Sequence, residues 1–327
     1  MSLKSQVIMQ HTYHLKEYLW MNNFADNLLY VRDHPDEDLK NIEHHPGTAA
    51  MIIGAGPSVE KYGQLRLLHD RGFDGSIFVC DKMAKPCLDA DIPFDYVVSI
   101  DGAPEVAQFF EGVRDHPHYR RAVALMNVAT SHPDTSAACM RKALWPVYWF
   151  LGMLDDPNEA KSLTRVLHYM SRSFMVQSLG NVGGTAWNLA CLLEYSPLVL
   201  VGLDFGYSSE TRIQDTIYFK EYEEMCCPST LNPRVQALSQ YFREQFKVET
   251  PDQLFYMLTN PETKGRVLMD LNWEVYSAIF RLYAEKAHAA MGVQTVNCSP
   301  ESSLFGPGIT YRPLGEVLRL RKDIEVT

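Results

Sequence analysis

The stretch that decides the fold is AAMIIGAGPSVE, residues Ala49–Glu60. An unbroken apolar run leads into the loop Gly54–Ser58, and a helical pattern begins at Val59. Such a run is typical of a parallel strand that is buried on both faces. Glycines between strand and helix let the backbone approach a phosphate, and Pro57 suits the first helical turn. The stretch therefore predicts the first βα unit of a nucleotide-binding fold. The alternative is a tight turn that the glycines merely permit, without a phosphate-binding role.

The alternation of apolar runs and helical segments continues beyond this unit. The predicted strands are Ala49–Gly54, Ile77–Asp81, Tyr96–Asp101, Ala122–Asn127, Val147–Leu151 and Leu198–Asp204. The predicted helices are Val59–Asp70, Ala84–Ala90, Pro104–Val113, Thr135–Leu144, Asn158–Tyr169 and Gly184–Glu194. Strand and helix repeated in this way predict an α/β fold with a doubly wound, mostly parallel, Rossmann-like sheet.

Four segments follow from these patterns. Residues 1–48 form an N-terminal helical arm, and residues 49–205 form the nucleotide-binding core. Residues 206–292 are charged and aromatic and are interpreted as a helical lid or insertion. Residues 293–327 supply a closing strand and helix, Val293–Asn297 and Leu314–Arg321. The arm carries an apolar stripe that we expect to pack on the core: Leu15, Leu19, Trp20, Phe24, Leu28 and Leu29.

Composition narrows the class of protein. The chain has 327 residues and a net charge of −10, which argues against a partner that is a nucleic acid or an anionic membrane. Seven cysteines without a C-x-x-C motif indicate a reducing compartment. The richest apolar stretch, residues 143–154, contains Pro146 and is too short to span a bilayer. With no signal-peptide pattern either, we expect a cytoplasmic protein without a membrane span, as a monomer or a homo-oligomer.

Three predicted strands end in an aspartate: Asp81, Asp101 and Asp204. Ligands of open α/β sheets bind outside the carboxyl ends of the strands. Carboxylates at that edge suit Mg²⁺ or ribose hydroxyls, whereas a single aspartate there commonly caps the next helix. Three at equivalent places favour a shared site.

A second glycine-containing loop, Ser178–Thr185, precedes the helix whose inner face carries Ala186 and Leu189. Gly183 and Gly184 permit a close backbone approach, and Asn181 or Thr185 is placed to cap the helix or to contact a ligand. The aromatic residues of segment 206–292 are either core or a stacking platform for a ring.

These motifs resemble the MptE-like family. Gly54–Glu60 is similar to its loop G-x-G-P-S-[LV]-[EK], and Ile77–Asp101 is similar to its second block. Asn181–Thr185 followed by Leu198–Tyr207 resembles the third block, so the resemblance covers about residues 25–210. The family includes archaeal 6-hydroxymethyl-7,8-dihydropterin pyrophosphokinases and motility-associated factors that glycosylate flagellin, and its fold is similar to that of bacterial sialyltransferases.

The resemblance implies a nucleotide-dependent transferase. The leading expectation is a pyrophosphokinase that uses ATP and Mg²⁺, in which the hydroxymethyl group of a pterin-like alcohol attacks the β-phosphorus of ATP and AMP leaves. Asp101 and Asp204 would be catalytic and would hold the metal together with Asp81. The expected nucleotide-binding residues are Gly54, Gly56, Pro57, Ser58, Asp81, Lys82, Asn181, Gly183, Gly184, Thr185, Asn297 and Ser299.

Three alternatives stay open. Gly292–Ser299 looks like the closing strand and loop of the glycosyltransferase branch, which implies a CMP- or UDP-activated sugar of the sialic or pseudaminic acid type and little need for Mg²⁺. Because no histidine lies between His168 and His288, a base would come from Asp204 or from a tyrosine, Tyr207 or Tyr218. A non-catalytic nucleotide-binding module is the second alternative. An NAD(P) dehydrogenase, the third, is disfavoured because the third fingerprint glycine is absent.

Overall fold

The computed structural model describes residues 3–119, 122–135, 145–229 and 232–318. Its strands are β1 Ala50–Ile53, β2 Ser76–Cys80, β3 Tyr96–Ser99, β4 Val123–Asn127, β5 Val147–Gly152, β6 Met175–Val176, β7 Leu198–Val201, β8 Tyr207–Ser208, β9 Phe255–Thr259, β10 Arg266–Asp270, β11 Thr295–Asn297 and β12 Ile309–Tyr311. Its α-helices are α1 Leu3–Asp33, α2 Ser58–Lys61, α3 Gln64–Arg71, α4 Ala84–Asp89, α5 Leu163–Ser171, α6 Val182–Leu192, α7 Phe219–Cys226, α8 Pro233–Phe246, α9 Leu271–Met291 and α10 Leu314–Val317.

Nine of these strands form one parallel sheet in the order β12-β11-β7-β1-β2-β3-β4-β5-β6. β1 pairs in parallel with β2 on one side and with β7 on the other. Chain order therefore runs outward in both directions from β1, which is a topological switch point. The doubly wound α/β fold predicted from the sequence is confirmed.

The sheet is buried on both faces, as its apolar runs require. Every residue of β1, β3 and β7 is buried. Met51 and Ile53 pack into one core cluster with Phe24 of α1, whereas Ile52 packs on the opposite face with Trp187 and other residues of α6 and α9. The alternation along β1 fixes its register, since a one-residue slip would exchange the two faces.

Several local details differ from the sequence prediction. The predicted helix Val59–Asp70 is two helices, α2 and α3, because Gly63 takes a left-handed backbone conformation with φ +56° between them. The predicted helix Pro104–Val113 is a 3₁₀ segment over Pro104–Phe110. The short strands β6 and β12 were not predicted. Of the predicted helix Thr135–Leu144 all but Thr135 lies outside the described residues, as does the end of Leu314–Arg321.

Segment 206–292 is not purely helical. It contains a three-stranded antiparallel sheet in the order β8-β10-β9, together with α7, α8 and α9. β10 runs directly into α9, whose first turn is capped by Asp270 as its Oδ1 accepts the Trp273 backbone N–H at 2.8 Å. In the described part of the chain no helix is both long enough and apolar enough to cross a bilayer.

The N-terminal helix α1 packs along the sheet, but not by the whole predicted stripe. Phe24 is 3% exposed and lies in the core, whereas Leu29 is 73% exposed. The buried face also carries two amides, Asn23 and Asn27, each 3% exposed. Polar residues on this face demand hydrogen-bond partners, which the strand-end loops supply.

Candidate functional site

At the switch point the loops that follow β1 and β7 are pressed together. The Gly54 and Gly56 backbone N–H groups donate to Val201 O and Gly202 O, each at 2.8 Å. A Cβ on Gly56 would lie 2.6 Å from the Asp204 carboxylate, and one on Gly202 would lie 2.3 Å from Gly54 O. These glycines are therefore required by contact between the two loops.

Asp204 is the centre of this junction and is 1% exposed. Its Oδ2 accepts the Ser58 backbone N–H at 2.8 Å, and its Oδ1 accepts the Ser58 hydroxyl at 2.7 Å. Burial raises the pKa of Asp204, and these bonds oppose that shift. The donors of Ser58 that were predicted to cradle a phosphate are thus given to a carboxylate of the protein itself.

The late residues Asn297 and Ser299 complete the same buried network. The Ser299 Oγ lies 2.8 Å from the Ser58 Oγ, and the Ser299 N–H donates to the Asn297 side-chain oxygen at 3.0 Å. Both residues are at most 1% exposed. In this structure they brace the junction and do not reach its open side.

Asp81, at the end of β2, is also buried, at 4% exposure. Its Oδ2 accepts the Ser99 hydroxyl at 2.9 Å, and its Oδ1 accepts the Lys82 N–H at 2.8 Å. Burial raises the pKa of Asp81 to about 6, and the charge of Asp101 adds to the rise. Asp81 and Asp101 therefore lie within electrostatic reach of each other.

Asp101 differs from the other two aspartates because it is exposed. Its Oδ1 accepts the Ala103 N–H at 3.1 Å and leaves acceptor capacity facing solvent. Across the described ranges, no three His, Cys, Asp or Glu side chains converge as a metal-binding group. The predicted shared site of Asp81, Asp101 and Asp204 is not assembled: Asp204 is enclosed two strands away from Asp81, so the donor set does not fit a three-carboxylate Mg²⁺ site.

The Ser178–Thr185 loop begins α6, and Asn181 caps the helix as its Oδ1 accepts the Gly184 N–H at 2.8 Å. Gly183, Gly184 and Thr185 are buried in this first turn. Gly180 is exposed, and a Cβ on it would lie 2.3 Å from the Tyr276 ring of α9. The Asn181 Nδ2 is buried without a hydrogen-bond partner, which leaves one donor of this loop unused.

Aromatic side chains of segment 206–292 cover this loop. The Tyr207 hydroxyl donates to Asp270 at 2.7 Å, and burial raises the pKa of Tyr207 far above its usual value. The Tyr218 ring lies edge-on to the Tyr276 ring, with centroids 6.5 Å apart, and burial raises the pKa of Tyr218 as well. Burial raises the pKa of Tyr276 to about 12. Tyrosines with pKa values raised in this way stay neutral at pH 7 and are poor proton acceptors.

An open groove of about 490 Å³ lies beside the first glycine loop. Its wall includes Gly56 and Pro57 after β1, and Lys82 and Met83 after β2. The remaining lining residues are Ala55, Val59, Glu60, Gly63, Leu65, Arg66 and Pro86. Of the expected nucleotide-binding residues, the structure thus brings Gly56, Pro57 and Lys82 together on an accessible surface.

Sequence reasoning missed Tyr276, Arg66 and Asn23. Arg66 lines the groove, Tyr276 lies against Gly180, and the charge of Asp101 contributes to the raised pKa of Tyr276. Asn23 and Asn27 give a weak signal in the sequence, since two amides four residues apart share one helix face with Phe24 and Val31. No comparable signal marks the other two residues.

Comparison with known proteins agrees with this topology. A family model described as 6-hydroxymethylpterin diphosphokinase MptE-like matches residues 22–210, which is more than half of the chain. The chain belongs to the MptE-like family. The MptE-like match includes the strand-end aspartates and both glycine loops but leaves out Tyr276, Asn297 and Ser299.

A solved structure of MAf glycosyltransferase from Magnetospirillum magneticum AMB-1 has the same fold, with a TM-score of 0.55 and 13% sequence identity. The similarity covers 95% of this MptE-like chain but only 41% of that longer chain. No match to the chain was found among curated proteins. The family suspected from the sequence motifs is confirmed.

Proposed function

We propose that the chain is a glycosyltransferase that moves a sugar from a nucleotide-activated donor to an acceptor hydroxyl. The observation that carries the proposal is the groove beside Gly56 and Pro57, which opens at the carboxyl ends of β1 and β2 next to the switch point. Ligands of open α/β sheets bind at this place. The proposal therefore puts the nucleotide in this groove.

The lining of the groove suits a nucleotide. Lys82 and Arg66 supply two positive charges in a chain with a net charge of −10, and among the described lining residues Glu60 is the one acidic side chain. Met83 and Pro86 add an apolar wall against which a base ring can pack. Phosphate charge and an apolar ring are the two features by which a nucleotide is held.

In this proposal Asp101 is the base, because its carboxylate is exposed and keeps acceptor capacity. In the transfer, the bond between the anomeric carbon and the phosphate oxygen breaks, and the nucleotide leaves with the electron pair. The acceptor oxygen bonds to that carbon and gives its proton to Asp101. Asp204 is enclosed by Ser58, the Tyr207 hydroxyl is bonded to Asp270, and burial keeps Tyr218 neutral, so these groups do not serve.

A diphosphokinase is the second candidate, because the matching family model carries that description. The donor set argues for the glycosyltransferase, since Asp204, one of the three carboxylates expected to hold Mg²⁺, is enclosed by Ser58 away from the other two. Similarity to the MAf glycosyltransferase over 95% of the chain, including segment 206–292, also supports the first candidate.

Thermal shift with a nucleotide panel, with and without Mg²⁺, tests the proposal. A CMP- or UDP-sugar at 100 times its Kd should stabilise the fold by about 2.7 kcal/mol without Mg²⁺. Stabilisation by ATP only with Mg²⁺, and none by the sugar nucleotides, would favour the diphosphokinase. Stabilisation without turnover of any donor would indicate a non-catalytic binding module.

A pair of lysine variants locates the nucleotide. Lys82→Ala should weaken nucleotide binding by about 10- to 150-fold, because a charge-assisted phosphate contact contributes about 1.5–3 kcal/mol. Lys85→Ala is the matched control, since this lysine lies three residues further on and pairs with Asp89 at 2.9 Å. Equal calorimetric affinities for the two variants would place the nucleotide elsewhere.

A further inference from the structure

The two loops that flank Asp101 are joined by a side chain from the N-terminal helix. The Asn23 Nδ2 donates to Gly102 O at 3.2 Å and to Thr130 O at 3.0 Å. Gly102 directly follows Asp101, and Thr130 belongs to the loop after β4. One buried amide therefore ties the loop after β3 to the loop after β4.

The chemistry of the contact suits asparagine. Two carbonyl oxygens approach the same point, where the chain is sealed from water because Asn23 is 3% exposed. A planar NH₂ group offers one hydrogen to each oxygen, whereas an apolar side chain offers none and a carboxylate would repel both. Without the amide, two buried acceptors would lose their donor.

The space around Gly102 leaves the loop little freedom. A Cβ on Gly102 would lie 2.8 Å from Thr130 O, 3.1 Å from the Asn23 Nδ2 and 3.3 Å from the Trp20 ring. The two loops are also linked directly, since the His132 backbone N–H donates to Asp101 O at 3.3 Å. Asp101 itself is exposed, so its position depends on this backbone frame.

Asn27, one helical turn later, makes a parallel contact to the loop after β4. Its Nδ2 donates to Val128 O at 3.2 Å and to Ser131 O at 2.8 Å, both in that loop. It is 3% exposed, like Asn23. The two amides thus match in type, burial and helix face, whereas these two bonds of Asn27 stay within the loop after β4 and those of Asn23 reach Gly102, next to Asp101.

We propose that Asn23 is a positioning residue of the transfer reaction, which fixes the Asp101 carboxylate by tying Gly102 O to Thr130 O. The role of Asp101 as the base rests on the proposed function, whereas the position of its loop does not. α1 is then a working part of the site, and not only a cover on the sheet.

Hydrogen exchange tests the position without any ligand. In Asn23→Ala the N–H groups of Ala103 and His132, which bond to Asp101, should exchange about tenfold faster than in the unmodified chain. In Asn27→Ala the Ala103 N–H should keep its rate. Equal changes at Ala103 in the two variants would overturn the proposal. If Asn23→Ala does not fold, Asn23→Ser, which keeps one donor, replaces it in the same comparison.

Turnover measurements test whether this positioning of Asp101 matters for the transfer reaction. With the CMP- or UDP-sugar that stabilises the chain, Asn23→Ala should lower kcat about tenfold while KM for the donor stays within about twofold. In an Asp101→Asn background Asn23→Ala should not lower kcat further, because Asn23 acts through Asp101. If the two substitutions instead lowered kcat independently, so that their factors multiplied, the proposal would be overturned. Full turnover by Asp101→Asn alone would instead refute the assigned base, and the exchange result would still decide the positioning.

Discussion

The junction of β1 and β7 and the end of β3 are both built from strand-end loops, but the polar side chains are satisfied within the protein at the junction and exposed at the end of β3. At the junction, Asp204 and Ser58 satisfy one another and are at most 2% exposed. At the end of β3, Asp101 faces solvent while its backbone is tied from behind by Asn23. The polar groups of the junction stabilise the fold, whereas the Asp101 carboxylate stays available for a ligand.

The difference shows that a strand-end aspartate has no fixed role. A carboxylate that accepts two or more donors in a dry setting fixes its neighbours and has little capacity left for a ligand. A carboxylate on a braced but open loop keeps that capacity. Partners and exposure, not position along the strand, decide between the two.

The largest expected loss of stability comes from a substitution at Gly202, which disrupts the junction of β1 and β7. Gly202 has φ +65°, and a Cβ would lie 2.3 Å from both Gly54 O and the Val59 side chain. Gly202→Ala must push the two loops apart, so we expect a loss of at least about 4 kcal/mol in the free energy of unfolding, measured by urea titration.

Gly63→Ala is the control for this prediction. Gly63 also has a positive φ, +56°, but a Cβ there would meet nothing within 4 Å. Only the cost of a left-handed alanine remains, about 1–2 kcal/mol. Equal losses for the two variants would show that the loops at the junction have room to move.

The second prediction compares substitutions at the enclosed aspartate and at the exposed one. Asp204→Ala removes the acceptor of the buried Ser58 N–H and one acceptor of the Ser58 hydroxyl, and it should cost about 3 kcal/mol of stability. Asp101→Asn should change stability by less than about 0.5 kcal/mol, because the side chain is exposed, and should lower kcat by about 10²–10⁴-fold. A stable Asp204→Ala protein would mean that this carboxylate is free for a ligand after all.

The fold was predictable because its signals are local. Unbroken apolar runs such as those around Ile52 and Leu200 identify parallel strands, and the glycine loop after β1 identifies the first βα unit. β9 and β10 were not predicted, since β9 is largely exposed and its partner is recognisable only once the chain has folded back.

The site was less predictable, because the roles of its residues depend on distant contacts. Asp204 meets Ser58 across 146 positions, and Asn23 meets Gly102 across 79. Spacing within one motif cannot show which aspartate is enclosed. That Gly54 and Gly56 bind a nucleotide stays a prediction, because the structure explains these glycines first by their contact with the neighbouring loop after β7.

The last prediction sharpens the comparison through Asp81, which is buried yet lies beside the open loop. Burial raises the pKa of Asp81 to about 6 from 3.8, so the folded chain holds this proton more tightly than the unfolded chain. Stability should therefore fall as pH rises from about 4 to 6, by up to about 3 kcal/mol. Asp81→Asn does not titrate, so its free energy of unfolding in urea titration, minus that of the unmodified chain, should rise over this window.

Because the charge of Asp101 adds to the raised pKa of Asp81, Asp101→Asn should move this fall in stability to lower pH. Parallel pH curves for Asp81→Asn and the unmodified chain would place the Asp81 carboxylate in contact with water.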